Sequence, residues 1–488
     1  MHTLSRTIVK TLALLIFTVQ LHAQSKTIQL VEAENGLPIP FATIEYGENT
    51  GTISNEEGYF SISEKQLRLK NDIQISSLGY DAITLTYEEY AFAKAPITLS
   101  PSVNTLSTVY LNNKRISIDT IMTRMYHNRV KNYSYNNRKQ RVFSRKSGKT
   151  QSKGLEIKFK KDTKLSRKEL AEANKRLAET NININANYSE ILADYYTNDS
   201  AKTKLDIIKA TELSDGKNQE DVSDEAMAKI NSVLGDSTKT YKVKTGWFKI
   251  EDSLSLKEIV KTHDSLADKI QTKFSKQDID YLVHSNNFFS EFSNFDFITT
   301  QNRYDYFLEE VWDTEDDRIY KVRFESKKRK GKYKGTMLIN DSDFAVLKVD
   351  YTYADGKRGR NFNFKWLLGF KYTETGYQGT LTTRKTGDGT YVTSYIKEEQ
   401  QREIYVNRPI KLVENTTKHK MKFNVKTTQV LNEKIELFFI SDTPLTDIDY
   451  IAISEKQYAP IEKLTEYNDT TWKNYEILEP LNEMKQYN

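Results

Sequence analysis

Apolar and polar residues alternate from Ala42 to Tyr46, with Ala42, Ile44 and Tyr46 on one parity and Thr43 and Glu45 on the other. Period two marks a strand with one buried face. Similar short runs begin at Thr27–Val31 and recur at Phe60 with Ile62, at Ile73, Ile75 and Ser77, and at Ile83, Leu85, Ile97 and Leu99. Together they predict about seven short strands over residues 27–100. Turn chemistry separates them. Gly47 to Thr50 reverses the chain, Asn55 suits an Asx turn, Gly58 supplies a positive φ, and Gly79 ends a strand.

A second β-rich stretch runs from Arg303 to about Val430. Its candidate strands are Tyr304–Trp312, Ile319–Phe324, Tyr333–Ile339, Phe344–Tyr353, Asn361–Tyr372, Gln378–Arg384 and Tyr391–Lys397. Asn340-Asp341, Asp355-Gly356 and Gly387-Asp388-Gly389 supply turns, so the stretch predicts an antiparallel meander. Arg141 to Phe159 offers first strands to the same sheet. Lys321 and Arg323 alternate with Tyr320, Val322 and Phe324. A membrane barrel needs apolar lipid-facing strands about 9–11 residues long. The charged parity argues instead for a sheet covered on one side.

Between the two β regions the period lengthens. Ile118, Ile121, Met122 and Met125 line one face of a predicted helix over Ile116–Val130. From Leu155 to Phe289 the composition turns charged and helical. Ser166 with Glu169 forms a capping box before Leu170, Ala173 and Leu177, and Met227, Ile230 and Leu234 precede a terminating Gly235. Ser255 with Glu258 caps a longer stripe of Leu256, Ile259, His263, Leu266, Ile270 and Phe274, with Leu254 and Ile259 as a hydrophobic staple. His263 on that stripe has two readings: a ligand or proton carrier, or a hydrogen-bonded boundary residue.

Composition adds a compartment. Arg6 and Lys10 precede the short apolar run Thr11–Leu21, and His22-Ala23-Gln24 offers a cleavage point, so residues 1–23 read as a signal peptide. The run is shorter than the roughly 20 residues a spanning helix needs. The chain of 488 residues has no cysteine, which excludes disulfides, thiolate metal ligation and a thiol nucleophile. A net charge of +5 spread over many charges of both signs points to no nucleic-acid partner.

Three motifs in order resemble a carboxypeptidase-regulatory-like domain. They are Asn35-Gly36-Leu37-Pro38-Ile39-Pro40-Phe41-Ala42-Thr43-Ile44, then Gly51-Thr52-Ile53-Ser54-Asn55-Glu56-Glu57-Gly58-Tyr59-Phe60, then Ile75-Ser76-Ser77-Leu78-Gly79-Tyr80. Asn55 stands where members of that family often carry Asp. The resemblance covers roughly 75 residues. It implies a transthyretin-like sandwich without catalytic residues, of a kind found in cell-envelope proteins of Gram-negative bacteria and ahead of TonB-dependent receptors. Tyr333-Lys334-Gly335-Thr336-Met337-Leu338-Ile339 with Asp343-Phe344-Ala345-Val346 resembles the curved sheet of LolA-like lipoprotein carriers.

Chemistry is sparse. No His-Glu-x-x-His, Gly-x-Ser-x-Gly or phosphate-loop motif occurs. Beyond the signal segment the histidines are His127, His263, His284 and His419, widely spaced. The basic run Lys327–Lys332 reads as a solvated hairpin tip, with a lipid or nucleic-acid contact as the sharper reading. Asp442, Asp447 and Asp449 lack the turn glycine of a calcium loop and read as a capped loop. Trp472, Tyr475, Ile477 and Leu478 suggest that the C-terminal tail docks, on the body or on a partner.

The sequence therefore predicts an α+β protein: signal peptide 1–23, a seven-stranded β-sandwich over 24–105, a helix-rich region over 106–300 that reads as an insertion or a separate domain, an antiparallel sheet domain over 301–450 and a docking tail over 451–488. Gly51, Asn55, Gly58, Phe60, Gly79 and Tyr80 form the expected structural turn motif. No catalytic residue, metal or cofactor is expected. The expected role is non-enzymatic: an exported periplasmic or outer-membrane-associated protein binding a partner protein, a glycan or a lipidated ligand. A carrier or scaffold beside an outer-membrane TonB-dependent transporter is the first alternative. A carboxylate-based hydrolase is the second.

Overall fold

A computed structural model describes residues 25–47, 50–102, 116–133, 136–178, 186–214, 240–245, 248–255, 276–289, 293–313, 318–327, 330–456 and 459–487. The expected signal peptide, the stretch at Met227–Gly235 and the helix bearing His263 lie outside these residues. The chain forms two compact units. One comprises the segment up to Ser102 together with Asn468–Asn482. The other runs from Val103 to Tyr467 and resumes at Glu483.

The first unit contains β1 (Lys26–Glu32), β2 (Thr43–Gly47), β3 (Thr50–Ile53), β4 (Tyr59–Ile62), α1 (Glu64–Leu69), β5 (Ile73–Ser76), β6 (Ile83–Leu85), α2 (Tyr87–Ala91) and β7 (Ile97–Leu99). Strand β1 pairs antiparallel with β4 and parallel with β7. Strand β2 lies between β3 and β5, and β6 follows β5, all antiparallel. The period-two apolar residues converge on one core of Ile28, Leu30, Ala42, Ile44, Phe60, Ile62, Ile73, Ile75 and Leu99, all almost fully buried. Each fully buried aliphatic or aromatic side chain contributes about 1.5–3 kcal/mol. Asn468–Asn482 belongs to this unit, so residues 24–105 are not the whole of it. The expected 451–488 tail divides, because Ile461–Leu464 is a strand of the second unit.

The second unit contains α3 (Ile118–Asn132), β8 (Arg138–Asp162), α4 (Arg167–Ala178), β9 (Asn187–Thr197), β10 (Thr203–Leu213), β11 (Thr240–Thr245), β12 (Phe248–Ser255), α5 (276–285), α6 (Asp296–Thr299), β13 (Tyr304–Asp313), β14 (Arg318–Ser326), β15 (Tyr333–Asn340), β16 (Val346–Tyr353), β17 (Asn361–Phe364), α7 (Lys365–Leu368), β18 (Phe370–Lys385), β19 (Tyr391–Glu414), β20 (Lys420–Pro444), α8 (Asp447–Ala452) and β21 (Ile461–Leu464). Hydrogen bonding runs in the order β21-β10-β9-β8-β20-β19-β18-β16-β15-β14-β13, antiparallel throughout except for β21 on β10. Strands β8, β19 and β20 have 25, 24 and 25 residues. At about 3.3 Å per residue each reaches roughly 80 Å. The far end of β19 also carries β11, and β18 carries β17.

One expectation is corrected here. The described part of residues 106–300 is largely strand, with helices only at α3, α4, α5 and α6. The Lys- and Glu-rich composition suggested helix. Arg141–Phe159, expected as first strands of the sheet, lies within β8; beyond it, β9 to β12 fall where helix was expected, and cross-strand partners outweigh intrinsic propensity. Asn361–Tyr372 is likewise not one strand. Gly369 takes φ +59° and its amide bonds to Lys365 O at 3.1 Å, which closes the turn α7 between β17 and β18.

Candidate functional site

The two faces of the large sheet differ in chemistry. On one face Val322, Met337, Val349, Leu381, Ile396 and Leu437 pack with Ile121, Met122 and Met125 of α3 and with Ile279 and Leu282 of α5. Aromatic rings fill the centre. Phe297 stacks on Phe324 with centroids 4.1 Å apart, and Tyr133 stacks on Phe288 at the same separation. Tyr351 reaches into the space opposite Gly379, where a Cβ would lie 2.4 Å from its ring.

This packed side contains a buried polar knot. Glu398 is 4% exposed. Its Oε1 accepts from Asn286 Nδ2 at 2.6 Å, Ser285 Oγ at 3.1 Å and Asn294 Nδ2 at 3.1 Å. Tyr351 donates to Asn286 Oδ1 at 2.9 Å, and Tyr333 donates to Asn294 Oδ1 at 3.2 Å. Burial raises the Glu398 carboxyl above its ordinary range, while the donors around it pull the other way. Burial also pushes the Tyr351 and Tyr377 hydroxyls well above 10. The knot ties α5, Asn286 and Asn294 to the sheet. It has the composition of a structural network, since each polar group meets another.

The opposite face is polar, partly exposed on β14 to β19 and buried where it continues onto β20, β8, β9 and β10. Arg323, Thr336, Asp350, Thr380 and Lys397 lie in direct cross-strand register from β14 to β19. The row continues through Glu436, Arg145, Glu190 and Thr211 on β20, β8, β9 and β10. A parallel row contains Lys334, Thr352, Gln378, Glu399, Lys434 and Ser147. Charges on this face are matched locally: Lys397 with Glu399 at 3.3 Å, Lys348 with Asp350 at 3.1 Å, Arg145 with Glu190 at 2.7 Å and Arg323 with Glu309 at 2.7 Å.

Two hollows follow these rows. One of about 560 Å³ is lined by Arg323, Lys334, Thr336, Asp350, Thr380 and Lys397 among others. The second, of about 320 Å³, is lined by Lys149, Tyr188, Glu399, Gln401, Asn432 and Lys434 among others. Thr352 and Gln378 line both, so the hollows form one polar trough. Their volumes fall within the roughly 300–1,000 Å³ of small-molecule sites. A more apolar hollow, lined by Ile191, Ile207, Ala210, Ile435 and Asp278, holds only about 80 Å³. Burial there pushes the Asp278 carboxyl up to about 6, against the pull of Lys146 3.3 Å away.

The residues expected to form the turn motif occupy the first unit. Asn55 Oδ1 accepts from Glu57 N and Tyr59 N, each at 2.9 Å. Gly58 has φ +77°, and a Cβ there would lie 2.5 Å from Leu30 O. Phe60 is fully buried. Gly51 sits in β3 opposite Glu45. Gly79, with φ +89°, and Tyr80, bridged to Pro101, form a separate turn. Asn55, Gly58 and Phe60 thus share one turn, and Gly79 and Tyr80 another.

The other sequence candidates disperse. His127 on α3 and His284 on α5 are exposed, and His284 Nδ1 lies 2.6 Å from Asp280 O. His419 Nε2 lies 2.7 Å from Asp162 Oδ1, a pairing between the β19–β20 turn and the end of β8 that spacing does not announce. Asp442 is not in a loop. It lies in β20 and pairs with Arg138 at 2.5 Å, while Asp449 closes a capping box with Thr446 at the start of α8. Among the described residues no group of three His, Asp or Glu side chains is placed to hold a metal ion. No described helix is long and apolar enough to cross a membrane, which says nothing of strands. The trough and the Glu398 knot were missed from the sequence. Their signal is the polar parity of the long strands, which becomes visible only once register is known.

No protein-family model and no curated protein matches the chain. Solved structures with some likeness include a LolA superfamily protein from Nitrosomonas europaea, at 9% identity over 70% of this chain and 99% of that one, with a TM-score of 0.19. A putative outer membrane lipoprotein-sorting protein domain from Vibrio parahaemolyticus shares 8% identity over 67% and 95%, with a TM-score of 0.20. A DUF1329 family protein from Desulfovibrio piger shares 10% over 69% and 98%, with a TM-score of 0.16. The first two are of the kind that Tyr333–Val346 resembles. At such TM-scores they carry no argument about this chain. The carboxypeptidase-regulatory-like resemblance rests on its residues alone.

Proposed function

We propose that this chain is a non-enzymatic cell-envelope binding protein whose polar trough takes an uncharged glycan. The trough itself carries the reading. Its lining includes the amides and hydroxyls of Gln378, Gln401, Asn432, Thr352 and Thr336, oriented by their own bonds, as Gln378 Nε2 to Glu399 at 2.6 Å and Gln401 Nε2 to Asn432 at 3.0 Å, while its charges are matched among themselves. Such a surface offers directional hydrogen bonds to sugar hydroxyls without demanding a charged ligand. The sheet beneath is hydrogen-bonded on both flanks, so the donors and acceptors are held in place before a ligand arrives.

The lipid-carrier reading needs room among apolar side chains. Phe297, Phe324, Tyr333, Tyr351 and Tyr377 occupy the covered side instead. The hydrolase reading needs paired carboxylates in an accessible cleft. Glu398 is enclosed by amide and hydroxyl donors, Asp278 borders a hollow of about 80 Å³, and the trough's own carboxylates Glu399, Glu433 and Glu483 are each paired with a lysine or arginine. Exposing the purified protein to an array of neutral and charged oligosaccharides tests the proposal. It expects retention on neutral glycans. Retention on none, or turnover of any, contradicts it.

A further inference from the structure

The hairpin β17-α7-β18 is chemically unlike the rest of the surface. Trp366 is 95% exposed, and Phe362 and Phe364 are 48% and 46% exposed. From Gly356 to Thr373 the chain carries Lys357, Arg358, Arg360, Lys365 and Lys371 and no acidic residue, although acids meet the hairpin at its base, where Glu374 accepts from Arg360 N at 2.7 Å and Glu403 lies 3.6 Å from Lys371. The hairpin is well anchored. Phe362 pairs with Tyr372, their rings 6.1 Å apart, and Phe364 pairs with Phe370. Gly369 O accepts from Asn407 N at 2.7 Å, which fastens the turn to β19. Lys365 lies with its Nζ 4.1 Å from the centre of the Tyr405 ring. Three large aromatic side chains are therefore held out in solvent on a rigid support, among cations.

We propose that this tip docks on a bilayer of anionic lipid. Isolated exposed aromatics need no explanation, but several on one turn do. Tryptophan settles at the level of lipid headgroups, where its ring is buried and its N–H stays wet. Lysine and arginine alongside keep their heads at the phosphate while their stems lie on apolar surface. Lys357, Arg358 and Lys365 beside exposed aromatics match an anionic interface. The contrast within the molecule sharpens the assignment. Ile448 and Ile451 on α8 are also exposed, at 79% and 76%, yet they stand beside Asp447 and Asp449, which an anionic surface repels. The contact is interfacial and does not require the chain to span the membrane.

Sedimentation of the full chain with vesicles tests this. One set contains phosphatidylglycerol with phosphatidylethanolamine, the other phosphatidylcholine alone. Binding is expected to the anionic set, to weaken as salt rises, and to fall at least tenfold in Trp366→Ser. A second variant, Arg358→Gln with Lys365→Gln, keeps the aromatics and is expected to lose the preference for anionic vesicles. Brominated lipid is expected to quench the wild type more than Trp366→Phe. Equal vesicle binding by wild type and both variants, or none by any, overturns the proposal. So does self-association that Trp366→Ser abolishes in the absence of vesicle binding, because the tip would then serve a second copy of the chain.

Discussion

Asn55 Nδ2 donates to Glu479 O at 3.1 Å and to Pro480 O at 3.2 Å. One side chain therefore closes its own turn through Oδ1 and holds a segment more than 420 residues away through Nδ2. Thr52 Oγ1 donates to Ile477 O and Ser63 Oγ to Glu476 Oε1 alongside it. An aspartate would keep the turn but present an acceptor to two carbonyls. Asn55→Asp is expected to destabilise the first unit by about 1–3 kcal/mol, the cost of unsatisfied buried groups. Urea unfolding measures the loss, and limited proteolysis should show earlier release of the C-terminal segment. An Asn55→Asp chain as stable and as protected as the parent would contradict the assignment.

Gly58 is expected to tolerate no side chain. Its positive φ and the 2.5 Å approach to Leu30 O act together. Gly58→Val should cost on the order of 1–3 kcal/mol from backbone conformation alone, with the steric contact adding to it. Equal midpoints in urea would show that the turn relaxes.

Glu398 holds three donors at one oxygen. Glu398→Leu strands all three and is expected to cost about 3 kcal/mol or more, whereas Glu398→Gln keeps an acceptor and should cost roughly 1 kcal/mol. Comparing the two variants in urea checks the ordering. A leucine variant no less stable than the glutamine variant would remove the network's structural role.

Asp278 gives a pH signature. Its carboxyl is raised from 3.8 to about 6 by burial, so between those values the folded state holds more protons than the unfolded one. Stability should therefore fall as pH rises from about 4 to about 6 and level off above. A shift of this order is worth up to about 3 kcal/mol. Asp278→Asn, which does not titrate, should lack this component, although it weakens the contact with Lys146. Urea midpoints for both chains at pH 4 and pH 7 test the sign. A wild type that gains on the variant over that interval would refute it.

The first unit was the more legible part of the chain. The alternation of Ala42, Ile44 and Tyr46, and the turn residues Asn55 and Gly58, are local signals, and all three apolar residues are buried. What escaped was long-range. Nothing near Asn55 announces Glu479, because the contact depends on tertiary closure. In the second unit the charged face of β14 was readable from Lys321 and Arg323. The trough was not, because Thr380, Lys397 and Glu436 become neighbours only through the register of three strands. The charged stretch from Leu155 to Phe289 suggested helix, yet β9 and β10 lie within it, since composition reports propensity and not pairing partners.

The central claim is that the polar trough binds a neutral glycan. Titration calorimetry of the full chain with a neutral oligosaccharide retained on the array, beside Gln378→Ala and Gln401→Ala, tests it most directly. Both side chains are exposed, so neither substitution is expected to unsettle the fold. The account predicts saturable binding that weakens about tenfold in each variant, the scale of one or two lost hydrogen bonds. Binding that is absent from the parent, or undiminished in both variants, would contradict it.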